Sequence, residues 1–85
     1  MLWNLAVVRS AEKQLKKIPA ADQKRIVAAL DQMRTDPLSG DVVRLNAIAQ
    51  ALLRRVGNYR IFFDIYPAER LVVVSAIVRR SSTTY

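Results

Sequence analysis

Only two residues, Gly57 and Asn58, separate the apolar run "ALLRRV" (51–56) from "YRIFFDIY" (59–66). Both runs are rich in β-branched and aromatic side chains, and a Gly-Asn pair between such runs is a tight hairpin signal. A two-residue turn leaves no freedom of register. Val56 must oppose Tyr59, and Arg55 must oppose Arg60. Side chains alternate along a strand, so Ala51, Leu53 and Arg55 share a face with Arg60, Phe62, Asp64 and Tyr66. The other face carries Leu52, Arg54, Tyr59, Ile61, Phe63 and Ile65. It is the more apolar of the two and should pack against the rest of the chain, with Arg54 and Tyr59 at its rim.

A third run, "RLVVVSAIV" (70–78), follows Pro67-Ala68-Glu69 and completes a three-strand antiparallel meander. With a three-residue loop, Tyr66 opposes Arg70, Asp64 faces Val72, Phe62 faces Val74 and Arg60 faces Ala76. Val78 and Arg80 then continue the face that holds Arg55 and Arg60. A slip of one residue would put Arg79 there instead.

The first half supplies the other layer. "WNLAVV" (3–8) reads as a strand, and Ser10 as the N-cap of a short amphipathic helix over 11–18 that buries Ala11, Leu15 and Ile18. A second helix, from about 21 to 35, puts Ile26, Ala29, Leu30 and Met33 on one stripe, and Asp36-Pro37 stops it. "DPLSGD" (36–41) is a loop, and "VVRLNAIAQ" (42–50) is a short extended piece followed by a connection of no clear type. The expected architecture is α+β, in the order β-α-α-β-β-β. A two-helix hairpin covers one face of a small antiparallel sheet and leaves the other open, in a single domain over 1–85.

Composition limits the chemistry. The 85 residues contain no cysteine and no histidine, so disulfides, Cys/His zinc sites, thiol nucleophiles and histidine bases are excluded. No cofactor is expected. No apolar stretch approaches the ~20 residues of a membrane span, and the start lacks a signal-peptide pattern, so a cytoplasmic location without membrane association is the expectation. The net charge of +7 is uneven. Residues 1–43 hold seven basic and five acidic side chains, whereas 44–85 hold seven arginines, no lysine, and only Asp64 and Glu69 as acids. Guanidinium is a rigid fork that fits phosphate with two bonds and stays charged near neutral pH.

Arg55, Arg60 and Arg80 are therefore expected to converge on the open face beside Phe62 and Tyr66, as a polyanion site. Arginines interleaved with aromatic rings suit single-stranded nucleic acid. No acid lies within "RRVGNYR" (54–60), so the opposed Arg55–Arg60 pair should be relieved by an anion from elsewhere. Plainer roles suit other residues. Trp3 reads as core packing or a lid on the sheet end, and Lys13, Lys16, Lys17 and Lys24 as a solvated helical face.

"LLRRVGNYRIFFDIYPAERLVVVSAIVRRSSTTY" resembles the C-terminal half of the RelE/ParE superfamily of bacterial toxins. The resemblance lies in Arg55, Val56, Gly57-Asn58-Tyr59-Arg60, the hairpin, Arg79-Arg80 and Tyr85, and "SAEKQLKKIP" is similar to the family's opening. It implies a microbial-RNase-like sheet and, for RelE-type members, metal-independent cleavage of mRNA on the ribosome by 2′-OH attack on the adjacent phosphate. Carried over, Arg60, Arg80 and Tyr85 would be catalytic, and Arg54, Arg55, Arg79 and Phe62 would bind RNA or phosphate. The lysine and histidine common in ribonuclease members are missing, which implies slow intrinsic catalysis that leans on positioning by the ribosome. The implied partners are an acidic antitoxin and mRNA on the ribosome. A ParE-type toxin, with the same fold but acting on DNA gyrase without nuclease activity, is the alternative.

Overall fold

The computed structural model describes residues 2–44 and 52–80 of the chain. Among them, β1 (Asn4–Val7), α1 (Arg9–Lys16), α2 (Ala20–Thr35), β2 (Val42–Arg44), β3 (Leu52–Val56), β4 (Tyr59–Tyr66) and β5 (Leu71–Arg79) follow in order, with a short 3-10 turn over Pro67–Glu69. The strands form one five-stranded sheet in the order β1-β5-β4-β3-β2. The helical hairpin carries the chain from β1 at one edge to β2 at the other, and the meander β2-β3-β4-β5 brings it back. β5 returns in the direction of β1, so this pair is parallel while the other neighbours are antiparallel. The α+β class stands as expected, but the sheet is mixed and has one strand more than the sequence indicated. β2 is three residues long, too short for an alternation to register.

The helices pack as their stripes require. Ala11 in α1 and Ile26, Ala29, Leu30 and Met33 in α2 are buried against Ile61, Phe63, Val72, Val74 and Ile77 of the sheet. Lys13, Lys16, Lys17 and Lys24 are exposed. Gln23 Nε2 donates to the Leu15 carbonyl at 3.1 Å and ties the helices together. The start of α1 differs from expectation. Val8, not Ser10, is its cap, with no side-chain hydrogen bond. Val8 N–H still bonds Val74 O at 3.0 Å, while its carbonyl accepts from Glu12 N–H at 3.0 Å. One residue thus ends the strand and opens the helix, leaving no room for a separate capping residue.

The β3–β4 register is the one the turn dictates, with Val56 opposite Tyr59 and Arg55 opposite Arg60. Gly57 adopts φ +56° and Asn58 does not share a positive φ, the pattern of a II′ turn. The β4–β5 register differs from the expected one. Tyr66 opposes Leu71, Asp64 opposes Val73, Phe62 opposes Ala76 and Arg60 opposes Val78. Two insertions cause this. Arg70 enters the turn in a left-handed conformation, φ 48°, which lengthens the loop by one residue. Ser75 then bulges from the ladder between Phe62 and Phe63, and its hydroxyl donates to Phe62 O at 3.3 Å. The first shift turns Val72 and Val74 to the helix side, where both are fully buried. The second restores the parity, so Val78 stays on the side of Arg60.

Candidate functional site

Alternation sends the adjacent Arg54 and Arg55 to opposite sides of the sheet. Arg54 faces α2 and is only 6% exposed. Its Nη1 donates to the Ala29 carbonyl at 3.4 Å and to Ser39 Oγ at 3.2 Å, and Nη2 donates to Gln32 Oε1. Its buried Nε has no partner. Burial lowers the pKa of Arg54 from its ordinary value. Expected among the phosphate-binding residues, Arg54 is instead an interior side chain that staples α2 to the loop after it. That loop is shaped for it. Gly40 holds φ +77°, and a Cβ there would lie 2.8 Å from Arg54 Cζ. Gly40→Ala should therefore cost about 1–3 kcal/mol from left-handed strain and the displaced guanidinium, read as a lower midpoint in urea unfolding.

Arg55 lies on the other side and has a partner the sequence did not suggest. Its Nε donates to Asp41 Oδ2 and its Nη2 to Asp41 Oδ1, each at 2.9 Å. The backbone repeats the link, with Arg55 N–H on Asp41 O at 2.9 Å. The hydrogen bonds from Arg55 hold the Asp41 carboxyl below its ordinary pKa, and Asp41 raises that of Arg55. The pair thus persists at neutral pH and opens only as the pH falls through the lowered pKa of Asp41. The opposed arginines are relieved from within the fold, not only by an outside anion. The usable signal was Gly40-Asp41 directly before "VVR", a segment able to pair with β3.

The remaining expected residues divide. Arg60 is half-buried opposite Arg55 and Val78. Phe62 is half-buried between Leu53 and Ala76 on the same face. Arg80 is exposed two residues beyond Val78, and its N–H donates to Asn58 O at 2.6 Å, which fixes it beside the Gly57-Asn58 turn. Arg79 opposes Tyr59 and lines a hollow with Gln14, Lys17, Ile18 and Pro19, on the helix side and away from Arg60. Tyr85 lies outside the described residues. Trp3 packs at the sheet end under Arg70, whose Cζ sits 4.9 Å from the ring centre. Among the described residues, no cluster of three or more acids suits a metal ion, and no helix is long and apolar enough to cross a membrane.

A family model described as the ParE toxin of the type II toxin–antitoxin system parDE matches residues 5–83. The chain belongs to the RelE/ParE family of type II toxins. The toxin is 23% identical, over 83 residues, to a curated protein of Methanocaldococcus jannaschii that carries the name toxin RelE1, covering 94% of this chain and 92% of that one. Its fold matches RelE in the archaeal RelE–RelB complex of Pyrococcus horikoshii with a TM-score of 0.86 at 18% identity, over 98% of this chain and 100% of that chain. It also matches a chain of the RelBE2 toxin–antitoxin complex of Mycobacterium tuberculosis with a TM-score of 0.82 at 21% identity, over 94% and 100%.

Proposed function

We propose that this toxin is a RelE-type, ribosome-dependent mRNA endoribonuclease that needs no metal. The observation that supports the reading is the cross-strand pair of Arg55 and Arg60, with the backbone of Arg80 bonded at the same hairpin turn. In the reaction a ribose 2′-oxygen bonds to the adjacent phosphorus and the bond to the 5′-oxygen breaks. The 2′-OH gives up a proton and the departing oxygen gains one. The phosphorane-like transition state carries extra negative charge, and fixed cations aimed at it lower the barrier. Arg60 would hold the scissile phosphate, Arg80 the leaving-group side, and Tyr85 would orient the nucleophile or relay a proton. An acidic antitoxin would hold the toxin silent by covering this face.

The match to a model described as a ParE toxin favours a second reading, in which the same fold inhibits DNA gyrase and cuts no RNA. One experiment separates them. Wild type, Arg60→Ala and Tyr85→Phe are induced in cells, mRNA 5′ ends are mapped, and gyrase supercoiling is assayed with purified protein. Ribosome-phased cuts that fade in both variants support the nuclease. Intact mRNA with blocked supercoiling supports the gyrase reading and sinks the first.

A further inference from the structure

Two contacts from one loop grip the two sides of one strand. On the helix side, Arg54 bonds Ser39 and packs against Gly40. On the opposite side, the next residue of the loop, Asp41, takes the Nε–Nη2 edge of the Arg55 guanidinium with two bonds of 2.9 Å. Arg54 is buried and holds the loop still, so the Asp41 carboxylate is not a wandering surface acid. It is delivered to Arg55 by a backbone hydrogen bond as well as by its side chain. A carboxylate bound to both Nε and Nη2 of an arginine offsets its charge and occupies one of the two forks that a phosphate could use. Yet both partners remain about half exposed, with side-chain exposures of 49% for Arg55 and 56% for Asp41, so an incoming anion can reach the pair.

We propose that Asp41 is a built-in stand-in for phosphate, occupying Arg55 so that it contributes no net charge to polyanion binding until that carboxylate is removed or displaced. The proposal rests on the reading of this face as an RNA surface. It assigns the face a restraint: Arg55 joins RNA only by exchanging one anion for another. Asp41 thereby limits affinity for RNA in general, which suits a surface meant to act on RNA positioned by something else.

The test measures binding of the full chain to a single-stranded polyuridylate oligonucleotide across a salt series. Asp41→Asn keeps the side-chain size and a hydrogen-bond acceptor but removes the charge. It should bind about three- to tenfold tighter, with the slope of log K against log salt steeper by about 0.7, the value for one further phosphate on a single strand. In an Arg55→Gln background the same substitution should change neither beyond the small effect of one distant charge. An equal gain in both backgrounds, or no gain in either, overturns the proposal. In wild type, carboxyl carbon NMR should show the Asp41 signal moving toward that of an unpaired carboxylate as RNA saturates the protein, and an unmoved signal also overturns it. Binding that Arg60→Ala weakens but Asp41→Asn leaves unchanged refutes the restraint while keeping the RNA face. Failure of both wild type and Asp41→Asn to bind refutes both.

Discussion

Arg54→Ala should lower the melting temperature by about 10–20 °C. Arg54 is buried and its fork satisfies the Ala29 carbonyl, Ser39 Oγ and Gln32 Oε1. Truncation empties the volume of a long buried side chain and removes its bonds to the Ala29 carbonyl, Ser39 and Gln32, a loss of about 2–3 kcal/mol that comes mainly from the cavity. For a domain of this size each kcal/mol shifts the midpoint by roughly 4–8 °C. Two further variants divide the loss into packing and hydrogen bonding. Arg54→Met refills most of the volume without the donors, and burying a charge is itself costly, so it should recover part of the stability. Arg54→Lys keeps a charge but offers it as a point, unable to span Ser39 and Gln32 together, and should recover less. Thermal unfolding followed by circular dichroism checks all three. An Arg54→Ala midpoint equal to wild type would show that the staple carries no stability.

The same residue shows where the sequence was legible and where it was not. Alternation about the Gly57-Asn58 turn was enough to separate Arg54 from Arg55 and to place Arg60 opposite Arg55, because a two-residue loop admits one register. The helical stripe through Ile26, Ala29, Leu30 and Met33 was equally plain, since every member points one way at a 3.6-residue period. What escaped was non-periodic. The bulge at Ser75 and the left-handed Arg70 leave no mark on an apolar run, although each shifts the ladder by one residue. Their opposite effects on parity kept Val78 on the side of Arg60 and turned Val72 and Val74 into core. Asp41 escaped for another reason. Its bond to Arg55 spans 14 residues and depends on β2, a strand of three residues that only pairing with β3 makes recognisable. Charge counting along "RRVGNYR" could not see a counter-ion arriving from the loop before β2. Arg79 and Arg80 are adjacent and identical in chemistry, and only the register decides which of them shares a face with Arg60.

Arg60→Ala should reduce ribosome-dependent mRNA cleavage by roughly a hundredfold or more while leaving the fold intact. On the proposed reading, Arg60 is the fixed cation nearest the developing charge, and loss of one preorganised donor to a transition-state oxyanion typically costs about two to three orders of magnitude in rate. The contrast with its neighbour sharpens the expectation. The charge of Arg55 is offset by Asp41, so Arg55→Ala should reduce the rate by a smaller factor than loss of the residue proposed to hold the scissile phosphate, although both residues face the same side of one hairpin. Arg60→Lys should restore part of the activity, because a point charge supplies attraction without the two-bond geometry. Single-turnover cleavage on programmed ribosomes measures the chemical step directly, and matched thermal melts show whether a loss comes from folding. Equal effects of Arg55→Ala and Arg60→Ala would mean that the Asp41 pair gives way without cost on the ribosome. An Arg60→Ala protein that cuts at the wild-type rate would move the phosphate away from this strand altogether, and with it the assignment of Arg80, whose place on the face is defined by the same hairpin turn.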